Sequence, residues 1–219
     1  MKQTFTRALL AVALSAVALP AAAVSVSPLY TVYEPTQKAG VLKVANTEAT
    51  DKTYQVVVEK WVIENGEQVR KATDEIRFAP AVFTIKPGKQ QSVRWAVRGA
   101  PAGDEKAYRV AVREVPDLKS MTKGGVYNLI NVDAGWFWRS DALKPDLSAK
   151  LDAGSVVVTN RGRATARLVD LVSGGEARNG LIGYVLPGET RSFKLDLKKA
   201  GSDISVKVND VDSKIPLGR

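Results

Sequence analysis

Beyond its apolar N-terminus, no 11-residue window of this chain carries a helical period. Its backbone polar groups must therefore find partners between strands. Short runs of β-branched and aromatic residues are broken about every eight to twelve residues by turn signals. Residues 24–33 (VSVSPLYTVY) alternate imperfectly, and Pro28 predicts an edge strand or a break between two short ones. Further strands are expected over 41–45, 54–62, 82–85, 92–97 and 107–112. Asn65-Gly66 marks a two-residue turn with a partner strand from Glu67 onward. In Lys86-Pro87-Gly88-Lys89, Pro pre-sets φ and Gly tolerates the reversal. A second run of strands covers 155–159, 164–171, 181–186, 192–197 and 204–208, with turns at Asn160-Arg161-Gly162 and Pro187-Gly188. The pattern predicts an all-β chain built as a sandwich.

Residues 126–139, VYNLINVDAGWFWR, stand out within it. Strict alternation places Val126, Ile130, Val132, Ala134 and Trp136 on one face, with Asn128 the one polar interruption. Tyr127, Leu129, Asn131, Asp133 and Phe137 lie on the other. One reading is a long central strand. The other is a strand that offers its apolar row to a second chain. Trp136, Phe137 and Trp138 suit a sandwich core better than a carbohydrate platform.

The first residues have the make-up of a secretory signal. Lys2 and Arg7 precede an apolar run over 8–19, and Ala21-Ala22-Ala23 offers a small-residue cleavage site. The run is short for a bilayer span, so no stable membrane insertion is expected. The net charge of +9 is spread among Asp and Glu, which together with export argues against nucleic acid. There is no Cys and no His, which removes His-dependent triads and His-bearing metal sites. No metal, nucleotide or other cofactor is expected, and no pair of carboxylates nominates a hydrolase.

Four pieces in order, PAVFTIKPGKQQSVRW (80–95), YRVAVREVP (108–116), WFWR (136–139) and GYVLPGE (183–189), give the chain its family likeness. It resembles the periplasmic pilus-assembly chaperones of the chaperone–usher pathway, the PapD-like family. The resemblance implies two immunoglobulin-like β-sandwich domains in an L or boomerang arrangement. It divides the chain into a signal peptide (1–23), an N-terminal domain (24–139), a linker (140–146) and a C-terminal domain (147–219). It also implies a non-enzymatic function: binding, folding and capping a pilus subunit with an incomplete immunoglobulin-like fold, then delivering it to an outer-membrane usher. The alternative is an exported structural pilus or surface-coat component.

On this matching the donor side chains are Val126, Asn128, Ile130 and Val132, pointing outward, with Leu129 facing the chain's own core. A one-residue bulge would pass the role to Tyr127 and Leu129. The family holds the subunit's C-terminal carboxylate with an Arg and a Lys, but Tyr30 and Gly135 occupy the matching positions. Lys43, Arg113 and Arg139 are the nearest basic substitutes. The family's interdomain ion cluster maps onto Arg94, Glu105 and Asp210.

Overall fold

A computed structural model describes residues 24–99, 103–117, 128–195, 197 and 201–218. Among them every regular element is a strand. The first group comprises β1 (Val24–Ser27), β2 (Tyr30–Tyr33), β3 (Ala39–Asn46), β4 (Lys52–Glu64), β5 (Glu67–Ala72), β6 (Ile76–Ala79), β7 (Val82–Ile85), β8 (Gln90–Val97), β9 (Lys106–Val115) and β10 (Asn131–Trp138). The second comprises β11 (Leu147–Asp152), β12 (Ser155–Asn160), β13 (Ala166–Ser173), β14 (Glu176–Val185), β15 (Thr190–Lys194), β16 (Asp203–Val208) and β17 (Val211–Gly218).

The first group stacks a β1-β3-β8-β6 sheet on a β2-β10-β9-β4-β5 sheet, with β7 beside β4. Pro28 falls where the chain changes sheets. Before it, β1 pairs antiparallel with β3; after it, β2 pairs parallel with β10. Inward residues of both sheets form one core, with Leu42, Val44, Val93 and Trp95 facing Tyr54, Tyr108, Val110, Trp136 and Trp138. Trp136 and Trp138 are fully buried, and their indole N–H groups donate to the Pro28 and Gln37 carbonyls at 3.2 and 2.9 Å. Phe137, between them, faces the other way. The remaining strands follow one hydrogen-bonded path, β14-β13-β16-β17-β11-β12-β15, around a core of Val156, Val158, Leu168, Leu171, Phe193 and Ile204.

Both groups use the same device to close a Pro-Gly turn. Asn46, at the end of β3, is fully buried; its Nδ2 donates to the Thr50 and Ile85 carbonyls at 2.8 and 2.9 Å, and its carbonyl accepts from Gly88 N. Asn160, at the end of β12, is also fully buried, donates to Ala164 and Val185, and accepts from Gly188 N. Asn160→Ala should strand two buried carbonyls and Asn46→Ala one, that of Ile85, at about 1–3 kcal/mol for each group left unpaired. Chemical denaturation checks this. A loss under about 0.5 kcal/mol, the usual surface value, would show that water replaces the amide.

Residues 140–146 connect the two groups without a strand but not as a free tether. Asp146 O and Lys144 O accept from Arg161 N and Arg163 N at 2.8 and 3.0 Å. A Cβ on Gly162 would meet Asp146 N at 2.3 Å, so the close approach requires glycine there.

Candidate functional site

Pairing with β9 settles which way β10 presents its residues. Glu114 N donates to Ile130 O at 2.8 Å, and the register runs from Asn131↔Arg113 to Trp138↔Lys106. Even-numbered residues therefore bond toward β9, and odd-numbered ones turn N–H and C=O to the opposite edge. On that edge β2 covers only Gly135–Trp138, and Gly135 N donates to Leu29 O at 2.9 Å. No described strand covers the same edge of Asn131, Val132, Asp133 and Ala134. Among the described residues the first half of β10 thus has one neighbour and one open side.

Among the expected donor residues, Val126 lies outside the described residues. Asn128 is exposed and precedes the strand. Ile130 and Val132 are partly buried and pack against the first group's core. Leu129 is 48% exposed. This corrects the expected facing: the even row continues the core face, and Leu129 points away from it. The reason is continuity, since Ala134, Trp136 and Trp138 on the even row already line that core without a bulge.

The ion cluster also needs correction. Arg94 is an exposed residue on the outer face of β8, opposite Val41 and Ala79, and has no part in the joint. The arginine that meets Glu105 is Arg139, at 2.5 Å, with side chains 10% and 2% exposed. Arg139 also donates to Thr165 O at 3.1 Å, while Thr165 N and its hydroxyl donate to Glu105. Within the second group Asn209 braces this point, donating to Thr165 O and accepting from Arg167 N. Asp210 instead pairs with Arg167 at 2.8 Å. An apolar layer of Trp61, Ala107 and Phe137 against Tyr184 and Leu186 backs these contacts.

Arg139 is paired with Glu105 at the joint rather than placed beside Gly135. Lys43 is exposed on β3, in the sheet opposite β10. Arg113 lies on β9 facing Glu59 at 3.7 Å. The basic group at the expected place is Arg109, directly across from Gly135 in the β9–β10 register. Its Nη1 stands 3.4 Å from where a Gly135 Cβ would be, as does the Tyr184 hydroxyl. Asp133 holds the other side of the guanidinium, accepting from Nε at 3.1 Å and pairing with Nη2 at 3.0 Å. The guanidinium stacks 4.7 Å from the Trp61 ring centre. Arg167 lies 4.6 Å over the Tyr30 ring, whose centre is 6.3 Å from that of Tyr184. Burial pushes the Tyr30 and Tyr184 phenols up despite nearby arginines, so both remain neutral. Arg109 sits in the YRVAV piece, but nothing in sequence spacing shows that it lies opposite Gly135.

The N-terminal-domain model of the PapD pili and flagellar-assembly chaperones matches residues 23–144, more than half of the chain. The chain belongs to that family. No curated protein matches the sequence. Among solved structures, the CsuC–CsuE chaperone–tip adhesion subunit pre-assembly complex from archaic Csu pili of Acinetobacter baumannii is similar, with TM-score 0.69 and 24% identity over 90% of this chain and 98% of that chain. The Salmonella enterica SafA pilin–SafB chaperone complex gives 0.64 and 20% identity over 90% and 95%. The E. coli chaperone DraB gives 0.63 and 17% over 90% and 98%. The fold is that of these chaperones, two immunoglobulin-like sandwiches, and the family's role is chaperoning in pilus assembly.

Proposed function

We propose that this chain is a non-enzymatic periplasmic chaperone that captures an incomplete pilus subunit on the open edge of β10 and hands it to an outer-membrane usher. The observation that carries the reading is the half-covered edge at Asn131–Ala134, with the apolar Ile130 and Val132 on the face just inside it. A subunit lacking one strand exposes both an unpaired edge and an apolar groove. Added beside β10, it gains main-chain bonds from the odd residues and side-chain filling from the even ones. The family and the chaperone–subunit complexes among its structural neighbours support this. They lend no support to a coat-component role.

The edge also suggests how the subunit ends. A subunit strand running parallel to β10 occupies the position that β2 takes further along, and so must stop at Leu29 and Tyr30. Its terminal carboxylate then falls beside Gly135, where Arg109 and Arg167 supply charge-assisted donors and the two phenols neutral ones. Asp133 and Trp61 fix the Arg109 guanidinium in advance.

The test uses a peptide copying the C-terminal strand of the cognate pilus subunit, made as free acid and as amide. The free acid should bind about tenfold or more tighter, the value of one charge-assisted bond. Arg109→Ala should erase the difference while leaving amide binding unchanged. Equal affinity of acid and amide for the wild-type chain would remove the anchor. Failure of the whole subunit to co-purify would remove the chaperone reading.

A further inference from the structure

Where β9 and β10 part, one residue makes both contacts to Ile130. Glu114 N donates to Ile130 O at 2.8 Å, as a hydrogen-bonded antiparallel pair requires. The return bond from Ile130 N goes to the Glu114 carboxylate, Oε2, at 3.2 Å. The other carboxylate oxygen, Oε1, accepts from Lys52 Nζ at 2.7 Å. Glu114 lies on the same face of β9 as Tyr108, Val110 and Val112, and its side chain is only 7% exposed. Next to it on β4 is Tyr54, fully buried with an unpartnered hydroxyl. A charged pair therefore closes the end of an apolar core at the residue where β10 begins.

We propose that the Glu114–Lys52 pair is a positioning latch that sets which residue of the donor segment leaves the sheet, and hence the register in which a subunit meets it. The proposal rests on the donor-edge reading above. An apolar pair of the same shape would close this core at least as well, so stability alone does not call for a buried ion pair. What the carboxylate adds is a side-chain acceptor for the amide opposite Glu114, which in this register is that of Ile130. A slip of two residues would put Asn128 or Val132 opposite Glu114 and shift the whole apolar row against the subunit groove. The Glu114 hydrogen bond pushes the Lys52 ammonium further above its ordinary range, and the pair at 2.7 Å holds the carboxylate in place.

Two variants test it in the full chain, read by amide exchange at Ile130, thermal melting and co-purification of the cognate pilus subunit. Glu114→Gln keeps an oxygen for Ile130 N and should retain both amide protection and capture. Glu114→Met with Lys52→Met should melt no lower than wild type, yet lose Ile130 protection and capture by about tenfold or more, since protection reports local opening. If the double variant does not fold, Glu114→Leu alone takes its place, because Lys52 can reach solvent. Protection of Ile130 within about twofold of wild type in a folded variant lacking the carboxylate would overturn the latch. The two readings fail separately. Capture surviving in both Ile130→Asp and Leu129→Asp sinks the donor edge, whereas capture lost in Ile130→Asp but kept in the double variant sinks only the latch.

Discussion

Ile130→Asp should leave the chain folded and abolish subunit capture. The side chain is partly buried at the margin of the first core, so a carboxylate there can turn toward water at a cost of about 1–3 kcal/mol. Once a subunit covers the edge, the same charge is enclosed in an apolar groove with no partner, and the complex does not form. Leu129→Asp is the control. At 48% exposed, it should change the melting temperature no more than an ordinary surface substitution, within about 0.5 kcal/mol. Its side chain lies off the donor row, so capture should persist. Thermal melting and co-purification with the subunit read both quantities. Loss of capture in Leu129→Asp with retention in Ile130→Asp would mean that the outward face, not the core-side row, enters the subunit.

Arg139→Ala should be the most damaging single change at the joint. It leaves Glu105, 2% exposed, with only the Thr165 N–H and hydroxyl, and removes a donor from Thr165 O. Breaking a buried pair from one side costs about 3–5 kcal/mol. The two sandwiches should then sample a wider range of relative orientations, visible in small-angle scattering, and the melting transition should broaden or split. Arg94→Ala, by contrast, should fall within about 0.5 kcal/mol of wild type, because that side chain is exposed and remote from the joint. An unchanged scattering profile and melting curve for Arg139→Ala would show that the apolar layer around Phe137 and Tyr184 holds the joint unaided.

Alternation and turn chemistry made much of the fold legible. The runs at 54–62, 92–97 and 107–112 lie within β4, β8 and β9, and the turns at Asn65-Gly66 and Pro87-Gly88 fall between strands. Strands with little alternating apolar content were not legible. β11 (LSAKLD) and β17 (VDSKIPLG) read as polar segments, and β17 even contains Pro216. They are strands because neighbours on both sides supply hydrogen bonds, a condition that local sequence does not carry.

The site divides in the same way. By itself the sequence determined the period of the 126–139 row and the lack of His and Cys chemistry. These follow from residue identity and spacing along one strand. Only the tertiary structure decided that the even row continues the core, that Arg139 rather than Arg94 meets Glu105, and that Arg109 fills the space left by Gly135. Each is a statement about which residue lies opposite another across a ladder or a joint. Cross-strand register is set by the packing of every strand in the sheet at once, so residues 26 or 34 positions apart in sequence become partners without any local signal.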